Sequence, residues 1–264
     1  HDHEVIGVDG KRINMNAKQF IERLKALSSK QTQKFNAPLA ADKKDQIMGV
    51  KMGQIFALAK ESMNMELDEV EKLLDHPAHE ARVGAVSIMD FQARSKKTTP
   101  ERKKELFDMY IRRHDRINTW DLVDRSAIWV VGSYLVDKPR KILYKLAKSK
   151  MMAERRTAIV STLYFIGKDD LDDTYKLAEM MLYDKEELIH KANGWALRYA
   201  GDKDKKRLLK FLDQYAATMP RVTLRYTLEK MDKKTKDHYM GLGKIKSKVT
   251  KQLNLRKLSA IVLK

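Results

Sequence analysis

Apolar residues recur along this chain at intervals of three and four, and polar breaks return every dozen or so residues. Phe20, Ile21, Leu24 and Leu27 trace the first such stripe. Asn16 stands where an N-cap is expected, which predicts a helix from Asn16 to about Ser28. Residues 28–41 are polar, contain Pro38 and read as a loop; Val50, Met52, Ile55, Phe56 and Leu58 then predict a second helix over 48–60. From there the segments shorten and pair up. Residues 67–74 are followed by 78–93 across a His76-Pro77 turn, and 101–113, opened by Pro100, by 120–135. Residues 139–147 precede 153–165, 171–182 precede 187–199, and 202–215 precede 221–231. No segment shows the two-residue alternation of a strand, so the expected fold is all-α, with about six antiparallel helix pairs.

The second helices of these pairs carry the unusual residues. They hold Arg82, then Trp120 with Asp124, Arg155 with Arg156, Lys191 with Trp195, and Arg221 with Arg225. Asp124 and Arg156 are 32 residues apart, and Arg156 and Lys191 are 35 apart. A period in that range marks an α-solenoid of HEAT-like pairs, in which the same helix of each repeat lines one continuous surface. The expectation is a concave basic face with two tryptophans on it, a cradle suited to a nucleic-acid backbone.

Charge sharpens this. The 264 residues include 54 Lys and Arg against 36 Asp and Glu, a net charge of +18, which favours a polyanionic partner. Half of the excess falls in residues 233–264, where ten basic residues face the single acid Asp237. The expected division is therefore a helical domain over 1–232 and a basic extension over 233–264. That extension either adds phosphate contacts or caps the last repeat through Leu253, Leu255, Leu258, Ile261 and Leu263. The chain has no cysteine, which removes disulfides, thiol catalysis and cysteine metal sites. It has no apolar run of membrane-spanning length and no signal-peptide core, so an intracellular, cytoplasmic location is expected, with no membrane partner.

Several residues admit two readings. Trp120 and Trp195 fit a hydrophobic core, the usual place for indoles, or a groove. Trp120 is flanked by Thr119 and Asp121 at a helix start, and Trp195 follows Asn193-Gly194. A glycine inside a helix costs ~1 kcal/mol relative to alanine, so Gly194 suggests close approach of a neighbouring helix or of a ligand backbone. Trp129, within Ala127–Val131, reads as core. Asp121 and Asp124 share a helical face and serve either as helix-dipole or ion-pair partners or as reactive carboxylates. His76 and His79 flank a proline turn without a third ligand, and Asp169, Asp170, Asp172 and Asp173 lack the glycine and terminal glutamate of a calcium loop. No metal and no cofactor are expected.

Taken together, Gly49-Val50-Lys51, Thr119-Trp120-Asp121-Leu122-Val123-Asp124, Glu154-Arg155-Arg156-Thr157-Ala158-Ile159 and Lys191-Ala192-Asn193-Gly194-Trp195-Ala196-Leu197-Arg198 resemble the AlkD-like HEAT-repeat DNA glycosylases of the DNA alkylation repair family. The resemblance spans roughly residues 45–232. It implies hydrolysis of the N-glycosidic bond of cationic N3- and N7-alkylpurines in double-stranded DNA, by a metal-independent monomer. By resemblance Asp124 takes the catalytic carboxylate position, Trp120 and Trp195 the two cleft tryptophans, and Arg156 the basic position of the intervening repeat. Arg82, Arg155, Lys191, Arg198 and Arg225 complete the expected DNA-binding set. The alternatives are a non-catalytic HEAT-repeat protein for bent or branched DNA, and a protein-interaction scaffold using the same face.

Overall fold

The computed structural model describes residues 14–262. Among them the regular structure is helical. The helices are α1 (Ala17–Leu27), α2 (Lys30–Asn36), α3 (Met52–Glu61), α4 (Leu67–Asp75), α5 (His79–Arg94), α6 (Pro100–Arg112) and α7 (Trp120–Ala127). They continue with α8 (Lys141–Ala147), α9 (Met152–Ile166), α10 (Asp172–Met180), α11 (Glu187–Lys203), α12 (Lys205–Tyr215), α13 (Arg221–Leu228) and α14 (Lys233–Val262). The one extended pairing among the described residues is an isolated parallel bridge between Gln46 and Ala78. The chain divides into two compact units, up to Ile142 and from Leu143. The all-α expectation holds.

In the first unit α5 is the central helix. Fourteen of its 16 residues are buried, and α3, α4 and α7 pack on it. Burial on all sides explains why α5 has little amphipathic pattern, and it makes partners for the charged side chains of the helix a condition of the fold. Asn16 caps α1 as expected, in a capping box with Gln19.

Two local expectations fail here. Residues 28–41 are not simply a loop: α2 forms, started by the Ser29 side chain accepting from the Thr32 amide. Its inward residues Thr32 and Asn36 are polar, so no hydrophobic stripe announces it. The helix expected from Met48 begins only at Met52, because Gly49 has φ +90°. A Cβ at Gly49 would lie 2.2 Å from the Ser29 carbonyl oxygen. The left-handed backbone and the close approach both require glycine.

In the second unit alternate helices stack: α9 packs on α11 and α11 on α13, while α10 and α12 also pack on α11. Gly194 sits at the α11–α13 contact. A Cβ there would be 2.4 Å from Tyr226 Cβ and 2.8 Å from the Thr223 carbonyl oxygen. The close approach that Gly194 suggested is therefore made by a neighbouring helix. Early in α14 Tyr239 is buried, its hydroxyl donating to Asp213 Oδ1 at 2.7 Å. Leu253, Leu255, Leu258 and Ile261 are exposed, so these residues do not close the last repeat; Leu263 lies outside the described residues.

Gly194→Ala is expected to destabilise by about 1–3 kcal/mol, the range for overpacking a filled contact. Gly53→Ala in α3, where a Cβ meets nothing within 4 Å, should be stabilising by up to ~1 kcal/mol. Urea unfolding of both variants checks the contrast. Deleting residues 251–264 should leave the melting temperature unchanged, because the side chains of 251–261 are exposed; a thermal melt reads this directly.

Candidate functional site

The α5 N-terminal turns organise the first unit through buried polar groups. Glu80 is fully buried and accepts from the amides of Met48 (2.9 Å), Gly49 (2.6 Å) and Val50 (3.2 Å), and from Asn36 Nδ2 (3.1 Å). One carboxylate thus holds the 48–50 segment and the end of α2. Arg82, also fully buried, donates to Asp45, to Asn118 Oδ1 and to the Arg116 carbonyl. Burial pulls the Arg82 guanidinium below its ordinary pKa, and Asp45 opposes that shift.

The same network sets the start of α7. His79 is fully buried, and its Nε2 lies 2.6 Å from Asp121 Oδ2. An ionised carboxylate only accepts, so the ring N–H donates. Thr119 Oγ1 donates to the other oxygen, Asp121 Oδ1, at 2.6 Å. Burial works most strongly against ionisation of Asp121, yet the hydrogen bonds from His79 and Thr119 and the attraction of the imidazole outweigh it. The carboxyl is held below its ordinary pKa. Asp121 also lies in the first turn of α7, where the helix dipole favours a negative charge.

With that end fixed, Trp120 is 41% exposed. Asp124 follows one turn later on the same face and is half-buried. Trp120 therefore lies at a surface and not in the core. Trp129 does not behave as expected: it is half-buried, under the Arg94 guanidinium at 5.1 Å from the ring centre. It sits in a π-helical turn over Ile128–Ser133 that continues α7. Such turns often occur at functional positions, and the apolar run Ala127–Val131 concealed this one. Next to Asp124, Arg125 lies 4.7 Å from the Phe56 ring centre and 5.0 Å from that of Phe91, and it pairs with buried Asp90. Burial pushes the Asp90 carboxyl up despite Arg125 and Arg94.

In the second unit the expected cations separate into two kinds. Arg155 is buried and grips Asp184 with Nε at 2.8 Å and Nη2 at 3.1 Å, while its Nη1 donates to the Ser149 and Lys150 carbonyls. Arg156 is buried and donates to the Leu188 carbonyl. Lys191 and Arg225 are on the surface, Lys191 at 3.6 Å from Glu187. Arg198 is partly exposed and pairs with Glu229. Arg82 and Arg155 are held in buried ion pairs and Arg156 on a backbone carbonyl, so none of the three stands at the surface as the sequence reading expects of a phosphate contact.

Trp195 is half-buried and meets Tyr199 edge-on, with ring centres 6.2 Å apart. Tyr199 is exposed, and Lys230 Nζ lies 5.6 Å from its ring centre. Lys191, Trp195 and Tyr199 thus follow one another at four-residue spacing on one face of α11. The sequence reading missed Tyr199, although that spacing from Trp195 could have flagged it. Among the described residues no group of three His, Asp or Glu side chains could hold a metal ion. Nor is any helix there long and apolar enough to cross a membrane.

Asp121→Asn is expected to cost about 1.5–3 kcal/mol at pH 7, the range for a buried hydrogen bond to a charged group. Because the folded carboxyl lies below the ordinary ~3.9, its contribution is complete above that value and is lost as the pH falls through the folded pKa. The gap between the two proteins should therefore close on acidification. Denaturant melts between pH 7 and pH 3 measure it, and a gap independent of pH would contradict the assignment.

Comparison with known proteins places the chain in a family. A solved structure described as a predicted DNA alkylation repair enzyme from Enterococcus faecalis superposes with a TM-score of 0.60 at 16% identity, covering 78% of this chain and 97% of that one. At that identity the likeness establishes the fold. A search of curated proteins gives no match. Residues 20–231 match the DNA alkylation repair enzyme family, and since that stretch is most of the sequence, the chain belongs to that family.

Proposed function

We propose that the protein is a DNA glycosylase that hydrolyses the N-glycosidic bond of cationic N3- and N7-alkylpurines in duplex DNA, without a metal, with Asp124 as its catalytic carboxylate. The observation that carries this is the pairing of an exposed Trp120 with Asp124 one turn further along, on a helix end held by buried hydrogen bonds. A carboxylate with an aromatic neighbour at a fixed surface suits a substrate that carries positive charge.

The chemistry asks little of the protein. An alkylated purine leaves as a neutral base, taking the electron pair of its bond to C1′, so no general acid is needed. The sugar then carries oxocarbenium character. Asp124 stabilises that charge and accepts the proton of the water that adds to C1′. The Trp120 face packs on the sugar and attracts its cationic character. Trp195 on α11 is proposed as a second aromatic contact. Lys191, Arg198 and Arg225 are proposed to neutralise phosphates, and Arg156, buried on the Leu188 carbonyl, to hold α9 against the start of α11 behind them. Such contacts set register without reading bases. The basic residues of 233–264 add affinity with no lesion preference.

Asp124→Asn is expected to abolish release of 7-methylguanine from methylated duplex DNA while leaving duplex binding intact or slightly tighter, since one negative charge near the phosphates is gone. Trp120→Ala should reduce release with little loss of stability. Base release by chromatography, with binding measured in parallel, checks both. Release by Asp124→Asn at the parental rate would remove Asp124 from the mechanism. Binding by the parent protein without any release would favour the non-catalytic DNA-binding alternative.

A further inference from the structure

Phe35 is 82% exposed. It is the single apolar residue of α2, whose sequence is Lys-Gln-Thr-Gln-Lys-Phe-Asn, and unlike Thr32 and Asn36 it is left out of the interior. Burial of a phenylalanine side chain is worth roughly 1.5–3 kcal/mol, and the fold makes no use of it here. The position is nevertheless rigid. Asn36 Nδ2 donates to the Val50 carbonyl at 2.9 Å and to Glu80, the Ser29 amide donates to the Gly49 carbonyl at 2.9 Å, and Gln33 Nε2 donates to the Ile47 carbonyl at 2.9 Å. An aromatic ring is thus displayed on a firmly anchored helix.

Its surroundings are cationic. Phe35, Lys30, Lys34 and Gln31 line a shallow hollow of about 610 Å³. The lining holds two lysines and no acid, and residues 28–41 likewise contain no acid. Lys30 and Lys34, four apart, share a helix face. An exposed ring beside two lysines suits a polyanion that also offers flat apolar surface, and nucleic acid does so: lysines neutralise phosphates while an aromatic packs on a sugar or base, or wedges at a step. A second copy of this chain would set like charges against each other.

The location adds to this. α2 and the Trp120 end of α7 hang from adjacent residues of α5: Glu80 holds Asn36, and His79 holds Asp121. Both segments are therefore anchored to the same end of α5 within the first unit.

We propose that Phe35, with Lys30 and Lys34, forms a second duplex-DNA contact outside the Trp120–Asp124 site, the lysines on phosphates and the ring against a nucleotide. This rests on the DNA repair reading above. The test uses the full chain and an undamaged fluorescent duplex, titrated with the parent protein, Phe35→Ala and the double variant Lys30→Gln/Lys34→Gln across a salt series. Phe35→Ala should weaken binding about tenfold, as for loss of one stacking contact, with an unchanged thermal melt because the ring is exposed. The double variant should flatten the slope of log affinity against log salt by about 1.8, two phosphate contacts at ~0.9 each.

The outcomes separate cleanly. If the parent protein does not bind duplex DNA at all, the repair reading falls and the proposal with it. If the parent binds and both variants match it in affinity and salt slope, the proposal alone is overturned. Unaltered DNA binding together with weakened binding to polyglutamate would assign the hollow to an acidic protein and would also overturn it.

Discussion

Four ionisable side chains of α5 lie inside the first unit, and the local structure around them is arranged to keep each one paired. His79 meets Asp121, Glu80 meets three backbone amides and Asn36, Arg82 meets Asp45 and Asn118, and Asp90 meets Arg94 and Arg125. Removing one partner of a buried charge pair costs about 3–5 kcal/mol because the other is left uncompensated. That penalty makes the segments bearing the partners hold their places. The 45–50 segment, α2, the 116–121 approach and the first turn of α7 are the segments so held, and the proposed chemistry is built on the last of them.

The division of cations in this protein follows from the same physics. A net charge of +18 invites every arginine to be read as a phosphate ligand. Arg82 and Arg155 count against reading them so: both are buried, and their guanidinium groups donate to carboxylates and carbonyls that themselves need donors. Lys191 and Arg225, which stay at the surface, remain open to a polyanion. Guanidinium serves the interior better than ammonium because its planar fork satisfies several acceptors at once. The cationic charge left at the surface for a polyanion is therefore smaller than the composition suggests.

Helix order was largely legible in the sequence because most helices are amphipathic or carry caps and prolines that mark their ends; Asn16 before α1 and Pro100 in α6 are examples. What was not legible depends on contacts distant in sequence. α2 has no apolar stripe since its anchor is the Asn36 side chain meeting Glu80, 44 residues away. The start of α3 is delayed by Gly49 and by the same Glu80. The π-helical turn after α7 lies in a run of apolar residues that reads equally well as α-helix. At the candidate site, Trp120 and Asp124 could be picked out from their spacing and motif. The His79–Asp121 contact that steadies them crosses 42 residues and leaves no local trace.

The central claim is that the Trp120–Asp124 surface is rigid because α5 supplies buried partners for the start of α7. Backbone amide hydrogen exchange tests it most directly, compared between the parent protein and His79→Ala. The prediction is that protection falls at residues 118–124 well beyond any global loss, while α9, α11 and α13 exchange as before. Unchanged protection at 118–124 in the variant, or a loss spread evenly over both units, would contradict the account.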